Sequence, residues 1–123
     1  MSKREEIQRR ENYRSKASYP IWYRDLADGS EEGEWIRTVS RDLSGGGAAF
    51  EMPDCPPADR KPGDLLEIQL VVPPTPVFAI AEVVRIFEDN KGRLCAGVMF
   101  ASINSRDRDR IVRAVLREGV KNP

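Results

Sequence analysis

The sequence contains no histidine and only two cysteines, Cys55 and Cys95. Without histidine, the most frequent general base and the most frequent metal ligand of proteins are both missing. The two cysteines lie far apart and lack the spacing of a zinc or iron–sulfur site. We therefore expect two reduced thiols without a chemical role, no metal site and no catalytic residues.

Long apolar runs are also missing. No stretch approaches the length of about 18 residues that a membrane-spanning helix needs, and the opening MSKREEIQRR lacks the apolar segment of a secretory signal. The formal net charge is +0, from 20 Lys and Arg against 20 Asp and Glu, which disfavours non-specific nucleic-acid binding. These features predict a cytoplasmic protein without membrane insertion and without a DNA or RNA partner.

The 123 residues, 40% of them hydrophobic and 33% charged, are typical of one soluble domain. The charge is unevenly distributed, since residues 1–16 hold six Lys or Arg against three Glu and very few apolar side chains. We predict a flexible N-terminal arm over residues 1–16 and a folded domain over residues 17–120.

Apolar residues alternate with polar ones in several short segments, as in half-buried β-strands. About six strands are expected, with turns between neighbours, which favours an antiparallel barrel or sandwich. Pro20 suggests either an edge strand or the first residues of a strand. The expected strands are SYPIWYRDL, EWIRTVS, AAFEM, LLEIQLVV, VFAIAEVVRIF and LCAGVMF. One face of the fourth holds Leu66, Ile68, Leu70 and Val72, and one face of the fifth holds Phe78, Ile80, Val84 and Ile86.

After the last strand the period changes to that of a helix. Asn104 or Ser105 can cap its start, and Gly119 can end it. The apolar stripe expected to pack on the strands is Ile111, Val112, Val115 and Leu116. EDNKGR predicts a hairpin turn in which Asn90 and Gly92 are available for positive φ. Core packing is the favoured interpretation for most of the large aromatic residues, Trp22, Trp35, Phe50, Phe78 and Phe100.

Two short motifs carry the functional argument. The segment RDLSGGG contains Asp42-x-Ser44-x-x-Gly47 between two expected strands, so it is neither a P-loop nor a dinucleotide-binding turn, both of which open a helix. A carboxylate can accept the ring and amino protons of guanine, a serine hydroxyl both donates and accepts, and glycines let a flat ligand approach the backbone. In the arm, the guanidinium groups of Arg10 and Arg14 can pair with guanine O6 and N7, hold a phosphate or stack on a purine.

The ordered pair Arg10-x-x-x-Arg14 and Asp42-x-Ser44-x-x-Gly47, followed by AGVMF and a C-terminal helix, resembles the PilZ domain family over nearly the whole chain. The resemblance implies a mainly β fold, namely a six-stranded antiparallel β-barrel with a C-terminal α-helix and a flexible N-terminal arm. It also implies a receptor for the bacterial second messenger cyclic di-GMP that relays the signal when its arm becomes ordered.

The same resemblance assigns the ligand site residue by residue. Arg10 and Arg14 would hold guanine and phosphate, and Arg9 would extend this row toward a second, stacked ligand molecule. Asp42 and Ser44 would contact guanine. Gly45, Gly46 and Gly47 would complete the site with backbone clearance. The chain would be a stand-alone PilZ protein, a monomer or weak dimer, with no cofactor beyond the ligand and with an unidentified downstream protein partner.

Three other functions fit the sequence less well. An enzyme that hydrolyses cyclic di-GMP would need metal ions or a strong general base, and the chain has no histidine and no metal-like cysteine spacing. A PilZ-like protein that works only through protein contacts would not need both motifs. An RNA-binding barrel would need positive charge and an aromatic strand face. One residue stays open: Arg41 either assists at the site or faces solvent.

Overall fold

The computed structural model of the protein describes residues 18–26 and 33–121. The N-terminal arm, residues 1–16, lies outside these described residues. The elements in chain order are β1 (Pro20–Asp25), β2 (Ile36–Leu43), β3 (Gly47–Glu51), β4 (Leu65–Val72), β5 (Thr75–Glu88), β6 (Leu94–Ile103) and α1 (Ser105–Lys121).

The six strands form a closed antiparallel barrel in the order β1-β2-β3-β6-β5-β4, which confirms the expected barrel. Closure leaves β1 paired on both sides, with β2 and with β4. Pro20 is the first residue of β1, where its missing N–H breaks no pairing between interior strand residues. Of the two expectations for this proline, the strand start is the one observed.

The barrel interior confirms the alternation predicted for β4. Leu66, Ile68, Leu70 and Val72 are each at most 2% exposed, while Glu67 and Gln69 between them are only partly buried. A polar residue at every second position allows only one face of this strand to enter the core, so its register is well specified.

Strand β5 turns the face that holds Phe78 and Val84 away from the core. Its residues Phe78 and Val84 are 58% and 48% exposed, on the outside of the barrel. The residues that enter the core instead are Val77, Ala79, Ala81 and Val83. Both faces of this strand are largely apolar, but the outer one also carries Glu82. The face that enters the core is wholly apolar and has the smaller side chains, which fit beside the large core residues of other strands.

The aromatic residues divide three ways. Phe50 and Phe100 lie in the core, as expected, and Phe50 packs against Tyr23 with ring centroids 5.2 Å apart. Phe78 is exposed, so the core interpretation is wrong for it. Trp22 and Trp35 are partly buried, with the guanidinium of Arg37 over the first ring and that of Arg24 over the second.

Helix α1 begins as predicted and ends later. Asn104 caps it, because its Oδ1 accepts the N–H of Arg106 at 2.8 Å and its carbonyl accepts the N–H of Arg108 at 3.0 Å. Ile111 and Val115 of the apolar stripe enter the barrel core. The helix passes Gly119 and ends at Lys121. Within the described part of the chain, no helix is long and apolar enough to cross a membrane.

The barrel has two ends with different connections. At one end, which we call the glycine-loop end, lie the β2–β3 turn, the start of β1, the β4–β5 turn and the start of α1. At the other, the distal end, lie the β3–β4 loop and the β5–β6 turn. In the β5–β6 turn Gly92 has φ of 76°, as predicted, whereas Asn90 does not have positive φ.

Candidate functional site

The predicted Asp-x-Ser motif spans the end of β2, the tight β2–β3 turn and the first residue of β3. The Ser44 N–H donates to the Gly47 carbonyl at 2.9 Å, and the Gly46 N–H donates to Ser44 Oγ at 3.2 Å. The Gly46 carbonyl in turn accepts the Phe100 N–H of β6 at 2.9 Å. Ser44 and Gly45 are buried, and Gly46 is exposed at the tip of the turn. The hydroxyl of Ser44 therefore shapes the loop on which any ligand would rest.

Gly47 is required by the barrel itself. A Cβ on this residue would lie 2.1 Å from the carbonyl oxygen of Val98 in the neighbouring strand β6, far inside van der Waals contact. No side chain fits there without backbone movement. The motif glycine thus lets β3 and β6 approach closely directly beneath the loop.

Two register shifts turn charged residues to the outside of the barrel. In β2 the pairing with β3 shifts between Ser40 and Asp42, and Ser40 is fully buried. In β5 the pairing with β6 shifts between Val83 and Arg85, and Val83 is fully buried. Residues two apart normally share a face, but a bulge of one residue breaks this rule. Each bulge therefore re-aims a charged side chain from the core to the outer wall.

The two re-aimed residues belong to one continuous cross-strand row. Asp42 pairs with Ala49, Ala49 pairs with Gly97, and Gly97 pairs with Arg85. The two central positions carry a methyl group and a hydrogen, so the row has a flat floor between a carboxylate and a guanidinium. Together with the turn, this row lines a groove on the outer wall, bordered by the exposed side chains of Val84 and Met99.

Arg85 lies along the floor of this groove. A Cβ on Gly97 would be 2.8 Å from Arg85 Nε and 3.0 Å from its Cγ, so the arginine side chain occupies the space above the glycine. Its Cζ is 4.7 Å from the centroid of the Phe87 ring, a favourable cation–π arrangement. Sequence analysis did not identify Arg85 or Gly97. A glycine inside the strand LCAGVMF signals close approach to it, but the approaching group is visible only from the register.

The open question about Arg41 is decided by its partners. Arg41 Nη1 is 2.6 Å from Asp89 Oδ2, and its Nη2 is 3.7 Å from Glu51 Oε1. The hydrogen bond to Asp89 raises the pKa of Arg41 above its ordinary value. This arginine ties β2 to the β5–β6 turn at the distal end and does not line the groove, although 32% of its side chain is exposed.

The arginines of the first motif, Arg9, Arg10 and Arg14, lie outside the described residues. The chain that follows them is anchored beside the groove. The Tyr19 N–H donates to Ser40 Oγ at 2.9 Å, and the Ser40 N–H donates to the Tyr19 carbonyl at 2.8 Å. Ser40 is two residues before Asp42, so Tyr19 lies next to the strand that carries the Asp-x-Ser motif.

A second cluster of charges lies at the distal end. Arg60, with only 5% of its side chain exposed, forms ion pairs at 2.9 Å with Asp54 and with Asp25. Tyr23 Oη donates to Asp54 Oδ1 at 2.5 Å. Burial raises the pKa of Asp54, but the hydrogen bonds from Arg60 and Tyr23 outweigh it and hold this pKa below its usual value. All these groups satisfy one another, so the cluster fastens the β3–β4 loop to the barrel.

Metal chemistry finds no support in the part of the chain that the structure describes. No three Cys, Asp or Glu side chains there are grouped so that they could hold an ion. Cys55 and Cys95 are free thiols. Burial raises the pKa of both, which keeps them protonated and poorly nucleophilic at neutral pH.

Comparison with known families decides the membership of the chain. The family model of the PilZ domain matches residues 8–117. This chain belongs to the PilZ domain family. The match includes both motifs predicted from the sequence, and the observed barrel with its C-terminal helix is the architecture expected from the resemblance. A comparison with curated proteins finds no match.

Solved PilZ domain structures share the fold. The inhibitor of motility MotI/DgrA of Bacillus subtilis is 22% identical with a TM-score of 0.77, over 89% of this chain and 51% of that one. The PilZ domain of YcgR from Escherichia coli, solved with c-di-GMP, is 21% identical with a TM-score of 0.65, over 89% of this chain and 92% of that one. A tetrameric PilZ domain protein from Xanthomonas campestris is 11% identical with a TM-score of 0.65, over 89% of both chains. This chain therefore spans about half the length of MotI.

Proposed function

We propose that this protein is a cyclic di-GMP receptor whose groove holds a guanine of the ligand against Asp42. The observation that carries the proposal is the position of Asp42, which a β-bulge turns outward to the edge of a flat floor of Ala49 and Gly97. Membership of the PilZ family and the c-di-GMP present in the YcgR structure support the same ligand.

The chemistry of Asp42 selects guanine over adenine. An ionised carboxylate only accepts hydrogen bonds, and guanine offers it the ring N–H and the amino group side by side. Adenine has no ring N–H at this position, so one carboxylate oxygen would lose its water without gaining a donor. Such an unpaired buried group costs about 1–3 kcal/mol. The glycines of the turn leave the backbone accessible beside the base.

The arm can reach this groove by chain length alone. Tyr19 follows Arg14 by five positions, and five extended residue steps span at most about 18 Å. Tyr19 is hydrogen-bonded to Ser40, so Arg14 stays within reach of a ligand on Asp42. In the proposal, Arg10 and Arg14 bind guanine and phosphate, and Arg9 contacts a second stacked ligand molecule.

The proposed output is a change of surface, without chemical conversion of the ligand. Residues 1–16 carry little apolar surface to offset the entropy of ordering. Ligand phosphates and guanines supply that missing interaction through the arginines. Closing the arm over the groove changes the surface that a downstream partner meets, by a population shift no larger than the ligand's preference for the closed arm.

Calorimetric titration with cyclic di-GMP tests the binding site. Asp42→Ala should weaken binding by about 2–4 kcal/mol, because charge-assisted hydrogen bonds to guanine are lost. Asp59→Ala, at an exposed aspartate of the β3–β4 loop, is the matched control and should bind like the wild type. Cyclic di-AMP should bind far more weakly than cyclic di-GMP. An Asp42→Ala variant with wild-type affinity would disprove the site.

Hydrogen exchange tests the arm. With cyclic di-GMP, amides from about Glu6 to Lys16 should gain protection while those of β4 and β5 change little. Arg14→Ala should lower affinity by about 2–5 kcal/mol and abolish this protection. Equal protection of the arm before and after ligand addition would contradict the relay. In calorimetry, saturation at one ligand per chain for both wild type and Arg9→Ala would exclude the stacked second molecule.

A further inference from the structure

We propose that Arg85 is a further ligand-contacting residue, whose guanidinium forms the surface on which the guanine bound by Asp42 stacks. The inference rests on the proposed function, since the ligand is the one proposed there. It adds a residue from a different strand, β5, that belongs to neither sequence motif.

The position of Arg85 in the row carries the first step. Arg85 and Asp42 occupy the two ends of the row, with only Ala49 and Gly97 between them. Three strand spacings put their Cα atoms at most about 14 Å apart. The Arg85 side chain extends over Gly97, which lies between the two residues in the row, so its guanidinium is closer to the Asp42 carboxylate than the Cα atoms are to each other. A base whose edge meets Asp42 therefore lies above the Gly97 floor that Arg85 covers.

The conformation of Arg85 carries the second step. Its Nε, Cγ and Cδ all lie within 3.4 Å of the position of a Cβ on Gly97, so the side chain lies flat along the sheet. Phe87 contacts the guanidinium at 4.7 Å from the ring centroid. Phe87 thus holds in place a planar cation that also lines the groove. Planar guanidinium groups stack on purine faces, whereas ammonium groups do not.

The lack of a competing carboxylate carries the third step. Among residues 18–26 and 33–121, Arg85 forms no ion pair and no hydrogen bond. Arg24, Arg41 and Arg60, by contrast, each have an acidic partner. An exposed arginine that is held by an aromatic ring and a glycine, instead of by a carboxylate, keeps its cationic face available for a ligand that carries two phosphates and two purines.

Calorimetric titration of three variants with cyclic di-GMP tests the proposal. Arg85→Ala should bind about tenfold more weakly or worse, as for loss of a base-stacking platform. Arg85→Lys should recover little of this loss, because it keeps the charge and loses the plane. Arg37→Ala removes a second exposed strand arginine that also rests on an aromatic ring, with its Cζ 5.5 Å from the Trp22 ring centroid and outside the groove. This control should keep wild-type affinity.

A glycine substitution moves Arg85 without removing its charge. In Gly97→Ala the new methyl group would displace the Arg85 side chain, so affinity should fall severalfold. In the Arg85→Ala background the same substitution should have little further effect. If Gly97→Ala weakens binding equally in both backgrounds, the loss comes from the floor alone, and the stacking role of Arg85 is wrong.

The outcomes separate the two proposals. If wild-type protein does not bind cyclic di-GMP, the proposed function itself fails. If the wild type binds, Asp42→Ala does not, and Arg85→Ala binds like the wild type, the function stands and the inference about Arg85 is overturned. Full recovery by Arg85→Lys would also overturn it, because a point charge would then suffice.

Discussion

The outer-wall groove and the distal end of the barrel use arginine in opposite ways. At the distal end, Arg60 is enclosed by Asp25, Asp54 and Cys55, with its guanidinium 5.2 Å from the Tyr23 ring centroid. In the groove, Arg85 meets an aromatic ring and a glycine. Both guanidinium groups are therefore held in place, but only the first has its charge neutralised within the described residues.

The difference separates stability from binding. A buried charge that is fully paired belongs to the folded structure. If one partner is removed, the other charge stays buried without a partner, and its desolvation lowers the free energy of unfolding. An exposed arginine in the groove, such as Arg85, contributes little to folding stability and can interact with a ligand. We expect substitutions at the distal end to change the free energy of unfolding and substitutions in the groove to change affinity, with little overlap.

The largest expected effect is on stability. Arg60→Ala leaves Asp54 partly buried without its main partner, so the free energy of unfolding should fall by about 3–5 kcal/mol. Urea unfolding measures this loss. Arg93→Ala is the matched control, since 48% of its side chain is exposed and exposed pairs contribute at most about 1 kcal/mol. Equal, small effects of the two substitutions would remove the contrast between a structural and a surface arginine.

A glycine pair at the β2–β3 turn gives the next effect. Gly47→Ala forces a methyl group against the Val98 carbonyl, so it should destabilise the barrel by about 3 kcal/mol. Gly46→Ala should cost less than about 1 kcal/mol, because the nearest atom to its new Cβ is Ser44 Oγ at 3.9 Å and Gly46 does not have positive φ. Thermal unfolding of the two variants should show that Gly47→Ala is the less stable one. If Gly46→Ala were the less stable one, the turn and not the barrel would require a glycine.

The smallest expected effect concerns the stability of the fold at low pH. The pKa of Asp54 is lower in the folded state than in the unfolded chain. Its stabilising contribution is therefore complete above the unfolded pKa, about 4, and is lost as the pH falls through the folded value. Asp54→Asn should lower stability at pH 7 and flatten its decline below pH 4, measured by urea unfolding at several pH values. A decline as steep as that of the wild type would mean that other carboxylates, such as Asp89, account for it.

Sequence reasoning predicted the parts of the fold where polar and apolar residues alternate clearly. Strand β4 and the stripe of α1 are of this kind, and the predicted turn lies between β2, which carries Asp42, and β3, which begins at Gly47. Strand β5 is less clear, because both of its faces are largely apolar and only Glu82 marks the face that lies outside. Which face of β5 lies in the core also depends on packing across the barrel, and the sequence of one strand does not contain this information.

The groove row could not be predicted from the sequence because it depends on two bulges. By simple alternation, Asp42 would share the inner face of Ser40, and Arg85 would share that of Val83. The bulges reverse both assignments. Bulges arise from pairing with neighbouring strands. The sequence VVRIF alone therefore does not predict that its arginine lies in one row with Asp42, two strands away.

Amide chemical shifts recorded during titration with cyclic di-GMP test the central claim most directly, because they report both regions in one experiment. The account predicts large shifts at Gly46, Ala49 and Gly97 of the groove, with Asp54, Ala58 and Arg60 at the distal end nearly unchanged. Arg85→Ala should reduce the shifts at Gly97 more than those at Gly46. Shifts concentrated at the distal end, or a groove that does not respond at saturating ligand, would contradict the account.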